Sequence, residues 1–95
     1  MTTPDIWMAI LDSLADDSEN LKFINIGVKQ WGISATSKQI EECIHQLLEQ
    51  KLIYIEYIDD YQALHDYEQA IWYKMTDKGK KIWEGVDWEL YEVED

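Results

Sequence analysis

Ninety-five residues make one domain, and a hydrophobic share of 46% with a charged share of 29% is the balance of a globular chain rather than a disordered one. Twenty acids against eight bases give a net charge of −12, and all eight bases are lysine; this argues against a nucleic-acid partner, because phosphate is normally met by Lys and Arg and guanine is read by Arg. The longest apolar runs, such as Trp7 to Leu11, fall far short of the ~20 residues of a membrane span, so no membrane is expected.

The chain opens on a helix signal. Thr3 serves as N-cap and Pro4 as first helical residue, and Ile6, Trp7, Ile10, Leu11 and Leu14 fall on one helical face. Asp16 to Asn20 is a polar break. From Leu21 to Trp31 the periods mix: Leu21, Ile24, Val28 and Trp31 have helical spacing, whereas Phe23 and Ile26 do not share that stripe. A short strand at Leu21–Phe23 followed by a helix capped by Asn25 accounts for both. Gly32 ends that helix. After a turn from Ile33, Thr36 and Gln39 form a capping-box pattern, and Ile40, Cys43, Ile44, Leu47 and Leu48 make an apolar stripe running to about Gln50. Leu52 to Ile58 is β-branched and aromatic and reads as a strand. Asp59 to Gln69 is polar and reads as a loop. Ala70 to Met75 reads as a second strand, antiparallel to the first because the connection is short. Thr76 caps a final helix through Ile82 and Trp83, and Gly85 ends it. The domain is expected to span residues 1–86, with 87–95 an acidic aromatic tail.

Helix, short strand or turn, helix, tight turn, helix, strand, loop, strand is the element order of a winged helix-turn-helix domain. Two stretches sharpen the resemblance. Ile40, Ile44 and Leu47 leading into Leu52-Ile53 resemble the third helix of that family entering its first wing strand. Tyr73-Lys74-Met75-Thr76-Asp77-Lys78-Gly79-Lys80-Lys81 resembles the second wing strand and closing helix of the multidrug-resistance and phenolic-acid regulators. The resemblance covers roughly residues 5–84. It implies an α+β fold: a three-helix core, an antiparallel wing of two or three strands, and a C-terminal helix. Lys51 stands where the family commonly has Gly, which implies a less tightly turned helix end.

In DNA-binding members the third helix enters the major groove and the wing lies along the backbone. Here Lys38, Glu42, His45 and Glu49 lie opposite the buried stripe, on the face that would meet bases. From Thr36 to Gln50 one lysine faces Glu41, Glu42 and Glu49. From Glu56 to Gln69 stand Glu56, Asp59, Asp60, Asp66 and Glu68 with no lysine. An exposed carboxylate about 4 Å from a phosphate is repelled by roughly 1 kcal/mol even in water. Two readings follow. The preferred one is a non-enzymatic, acidic winged-helix domain that binds a protein partner with a basic surface, in the manner of an inhibitor or immunity-type protein. Its contacts would be Lys38, Glu42, His45 and Glu49 on the third helix, and Tyr57, Asp59, Asp60, Tyr61, Asp66, Tyr67 and Glu68 on the wing. Trp88 and Tyr91 of the tail would add to them, since Trp and Tyr are favoured at interfaces. The alternative is a DNA-binding transcriptional regulator that uses Lys22, Lys29, Lys38, Lys51 or the Lys78, Lys80, Lys81 cluster.

No cofactor, metal site or catalytic residue is expected. Glu42 and His45 have the Glu-x-x-His spacing of di-iron helices but no second copy. His65 and Cys43 lack zinc-ligand spacing. Cys43 lies on the apolar stripe, where a thiolate is disfavoured. No serine sits in a nucleophile elbow, and four glycines make no phosphate loop. One cysteine cannot form an internal disulfide, and no leader signal stands at the start, so a cytoplasmic protein is expected. The tail could pack back on the domain or dock on a second copy as a homodimer; the sequence leaves both open.

Overall fold

The computed structural model describes residues 5–91. Helix α1 (Ile6–Ser13) leads into strand β1 (Glu19–Asn20), followed at once by α2 (Leu21–Gln30) and then α3 (Ser37–Glu49). Strand β2 (Ile53–Ile58) and strand β3 (Ile71–Met75) form the wing, with a short helix α4 (Asp60–His65) and a 3₁₀ turn (Tyr67–Gln69) between them. Helix α5 (Asp77–Glu84) and a last 3₁₀ turn (Trp88–Leu90) close the chain. The sheet order is β1-β3-β2, antiparallel throughout.

Capping decides where the helices start. Asp5 caps α1 by accepting from the Met8 N–H at 2.8 Å. The expected cap, Thr3, and Pro4 lie outside the described residues. The expectation for residues 21–31 is corrected. Asn20, not Asn25, caps the helix, its Oδ1 accepting from the Phe23 N–H at 3.1 Å. The strand therefore falls one step earlier, at Glu19–Asn20, inside the stretch read as a polar break. Asn25 sits mid-helix and donates to the Leu21 carbonyl at 2.9 Å. Asn20 is wholly buried, and its Nδ2 has no hydrogen-bond partner among the described residues.

The core is built where the three main helices meet the inner face of the sheet. Ile10 and Leu11 of α1, Ile24 and Val28 of α2, and Ile40, Ile44 and Leu47 of α3 are buried together, with Leu52, Ile53 and Tyr73 from the wing side. Burying one such side chain stabilises the fold by roughly 1.5–3 kcal/mol. Gly79 of α5 lies against the turn into β2. A Cβ there would run into the Leu52 carbonyl oxygen, so only glycine lets the closing helix approach.

The stretch read as a loop, Asp59 to Gln69, is corrected as well. Asp59 accepts from the Tyr61 and Gln62 N–H groups and starts α4, and Asp66 accepts from the Glu68 N–H and starts the 3₁₀ turn. The pairing of Asp59 with Gln62 three residues on is the readable signal of that start.

Candidate nucleic-acid interface

Helices α2 and α3 are joined by a turn that Gly32 makes possible. Its φ is 77°, a left-handed conformation that costs glycine little. Its N–H donates to the Lys29 carbonyl at 2.9 Å. The capping box then starts α3 as expected: Thr36 Oγ1 accepts from the Gln39 N–H at 3.1 Å, and Gln39 Oε1 accepts from the Thr36 N–H at 2.9 Å. With both ends of the turn fixed, the outer face of α3 is set relative to the core.

Lys38, Glu42, His45 and Glu49 all stand exposed on that outer face. Ser34, Ser37 and Lys38 are exposed at its N-terminal end, beside backbone N–H groups and the positive pole of the helix. Gln46 is tied down, accepting from Trp7 Nε1–H at 2.8 Å, which fastens α3 to α1. Cys43 is half-buried, and burial, then Glu42 and Asp5, push its thiol up. It is not an activated nucleophile. Among the described residues no three His, Cys, Asp or Glu side chains are grouped to hold a metal ion, and Glu42 with His45 has no third ligand.

The end of α3 departs from expectation. Lys51 itself takes the left-handed conformation, with φ 59°. The Leu52 N–H donates to Leu47 O at 3.0 Å and the Lys51 N–H to Leu48 O at 3.1 Å. The helix end is therefore as tightly turned as a glycine would make it, with lysine bearing the steric cost.

The wing residues divide. Tyr57, Asp60, Tyr61, Tyr67 and Glu68 are exposed, while Asp59 and Asp66 are half-buried and occupied as caps. Tyr57 stacks on Trp72, ring centres 5.5 Å apart, and Tyr61 packs on His65 at 4.3 Å. Leu64 on α4 is 85% exposed. The tail aromatics are engaged within the chain rather than free. Trp88 packs on Trp31 at 5.4 Å and donates from Nε1 to the Trp83 carbonyl at 3.1 Å. Tyr91 meets the Trp31 ring edge-on at 6.4 Å. Beneath them lies a residue that the sequence pattern does not single out. Asp12 accepts from Trp31 Nε1–H through Oδ2 and from Trp83 Nε1–H through Oδ1, each at 3.0 Å.

The lysines lie on three surfaces. Lys22 and Lys29 are exposed on α2 and Lys38 on the first turn of α3. Lys51 and Lys78 stand where α3 ends and α5 begins, with Lys78 Nζ donating to the Gln50 carbonyl at 3.2 Å, and Lys81 lies in the last turn of α5. Lys74 and Lys80 line a surface groove together with Asp16, Asp17 and Asp77.

No family model and no curated protein matches the sequence. A solved structure does match: Bacillus subtilis PadR in complex with operator DNA, at a TM-score of 0.69 and 20% sequence identity. The match covers 99% of this chain and 51% of that one, so the chain spans about half the length of its structural neighbour. The neighbour corrects the expectation of a protein-binding domain that masks a basic surface, and favours the alternative. Composition is a weak guide here, because net charge describes the field of the whole surface, whereas a DNA complex rests on a few placed contacts. Element order, sheet topology and this match together establish that the chain has the winged helix-turn-helix fold.

Proposed function

We propose that the chain is a DNA-binding transcriptional regulator of winged-helix type, with α3 entering the major groove. The observation that carries this reading is the exposed outer face of α3, held on a frame that matches PadR bound to its operator. Lys22 and Lys29 of α2 and Lys38 of α3, with the exposed hydroxyls of Ser34 and Ser37 and the N-terminal pole of α3, supply the phosphate contacts. Glu42 and His45 lie farther along the same face, where base edges would be. A carboxylate accepts from the cytosine amino group and is repelled by guanine O6 and N7, so Glu42 favours amino-bearing edges. The acidic wing adds no phosphate contact.

This division predicts an unusual balance of affinity and specificity. Each lysine–phosphate contact contributes about 0.9 to the slope of log affinity against log salt. Lys22, Lys29 and Lys38 would together give a slope of about −3, shallow for a DNA-binding domain. The net charge of −12 further suppresses sequence-independent binding. The test is selection from a random duplex library with the full chain, followed by fluorescence anisotropy on the enriched sequence. A selected sequence bound well above scrambled duplex at low salt supports the reading. Lys38→Ala should then weaken binding to all sequences alike and lower the salt slope by about one. Glu42→Gln should change which base is preferred. No enrichment, or binding indifferent to Lys38→Ala and Glu42→Gln alike, overturns it.

A further inference from the structure

Strand β2 is an edge. β3 pairs with one side of it, and among the described residues no strand pairs with the other. An open edge offers a row of backbone donors and acceptors to any strand that can reach it. Edges are commonly blunted by charged side chains, above all lysine, by proline, by a bulge or by short length. This one runs six residues, Ile-Tyr-Ile-Glu-Tyr-Ile, with no lysine and no proline; its one charge, Glu56, sits at its one bulge, and all but Ile53 are exposed.

The bulge in β2 decides what can pair with it. Ile53 stands opposite Met75, Ile55 opposite Tyr73 and Ile58 opposite Ile71, all on one side of the sheet. Tyr54 and Tyr57 stand opposite Lys74 and Trp72 on the other side. Simple alternation would put residues 53 and 58 on opposite faces. The register shift between Ile55 and Tyr57 leaves Glu56 as an extra residue and returns both isoleucines to one face. A twofold axis perpendicular to a sheet keeps every residue on its own face. The strand therefore matches an antiparallel copy of itself, Ile53 against Ile58 and Tyr54 against Tyr57, with Glu56 near the axis.

We infer that the chain forms a twofold dimer by antiparallel pairing of β2 with β2 of a second copy, which extends the sheet to six strands. The charge distribution selects this occupant and this direction. Lys51, with Lys78 held to the neighbouring Gln50 carbonyl, stands at the start of β2, and Asp59 and Asp60 follow its far end. Antiparallel pairing lays the basic start of each copy against the acidic end of the other, twice over. Parallel pairing would set acid against acid. Across the axis, Tyr54 and Tyr57 form the aromatic cross-strand pairs that stabilise sheets. The outer face of α3 takes no part, so the inference does not depend on the DNA reading.

Sedimentation velocity on the full chain over a concentration series tests it. A concentration-dependent dimer is expected. Lys51→Glu and Asp60→Lys should each raise the dissociation constant about five- to tenfold, because every change counts twice by symmetry. The double variant should return it to within about twofold, since the pairs are swapped rather than lost. In a Cys43→Ser background, Glu56→Cys should form an interchain disulfide under mild oxidation, and Gln30→Cys on α2 should not. A chain that stays monomeric at every concentration overturns the inference. So does a dimer that ignores both charge reversals and crosslinks no faster through residue 56 than through residue 30.

Discussion

Asp12 offers the sharpest test of how the helical half is held together. Its two carboxylate oxygens accept from the indole N–H groups of Trp31 and Trp83, each at 3.0 Å, and so join α1 to the end of α2 and to α5. Asp12→Ala leaves two indole donors without their charged acceptor. A hydrogen bond to a charged group contributes about 1.5–3 kcal/mol when well buried. Asp12 and both tryptophans are only half-buried, so water replaces part of what is lost. About 1–1.5 kcal/mol per bond is then reasonable, or about 2–3 kcal/mol for the pair. For a domain of this size that lowers Tm by about 10–20 °C. Asp12→Asn keeps one acceptor and turns an N–H toward the other indole, so it should cost at least half as much. Urea and thermal unfolding followed by tryptophan fluorescence give both numbers. A double-mutant cycle of Asp12→Ala with Trp83→Phe isolates one of the two bonds. If Asp12→Ala unfolds within about 0.5 kcal/mol of the parent, the shared-carboxylate account is wrong.

Three further outcomes follow from single positions. Gly79→Ala should destabilise by about 1–3 kcal/mol, because the new methyl meets the Leu52 backbone and can be accommodated only by moving α5; chemical denaturation measures it. Lys51→Gly should raise stability by about 0.5–1 kcal/mol under dilute, monomeric conditions, since glycine adopts φ 59° without the Cβ penalty. Tyr73 is pushed up to about 12, by burial first and then by Tyr67 and Glu41. Its raised value means that the folded state holds the phenol proton longer than the unfolded chain. The corresponding stability is fully present below about pH 10, falls as pH rises, and is gone above about pH 12. Denaturation midpoints over that alkaline range should decline less steeply in Tyr73→Phe than in the parent.

The wing of this chain is acidic. A winged helix that uses its wing on DNA needs cations there, and this wing has none of the lysines beyond Lys74 at its root. What it carries instead are acids, exposed tyrosines and an open strand edge. The proposed division of labour gives α3 to DNA and β2 to a second copy, and each half can fail by itself.

Local patterns in the sequence were sufficient wherever the cause is local. The Thr36–Gln39 box, the stripe from Ile40 to Leu47, Thr76 as a cap and Gly32 as a stop all depend on spacings of a few residues, and the structure follows them. Order and patterning along the chain were likewise enough for the winged-helix architecture. Near Asn20 the local rules conflict, because both asparagines are competent caps; pairing of Glu19 and Asn20 with β3, more than fifty residues away, selects the first. The Asp12 bridge, the docking of Trp88 and Tyr91, the need for glycine at 79 and the matched faces of β2 are all contacts between distant segments. No spacing rule encodes them, since each depends on how helices and strands cross. Composition is a weak guide to the role of α3 for the same reason. Charge summed along a sequence carries no position, and only the folded frame shows which side chains stand exposed on the outer face of α3.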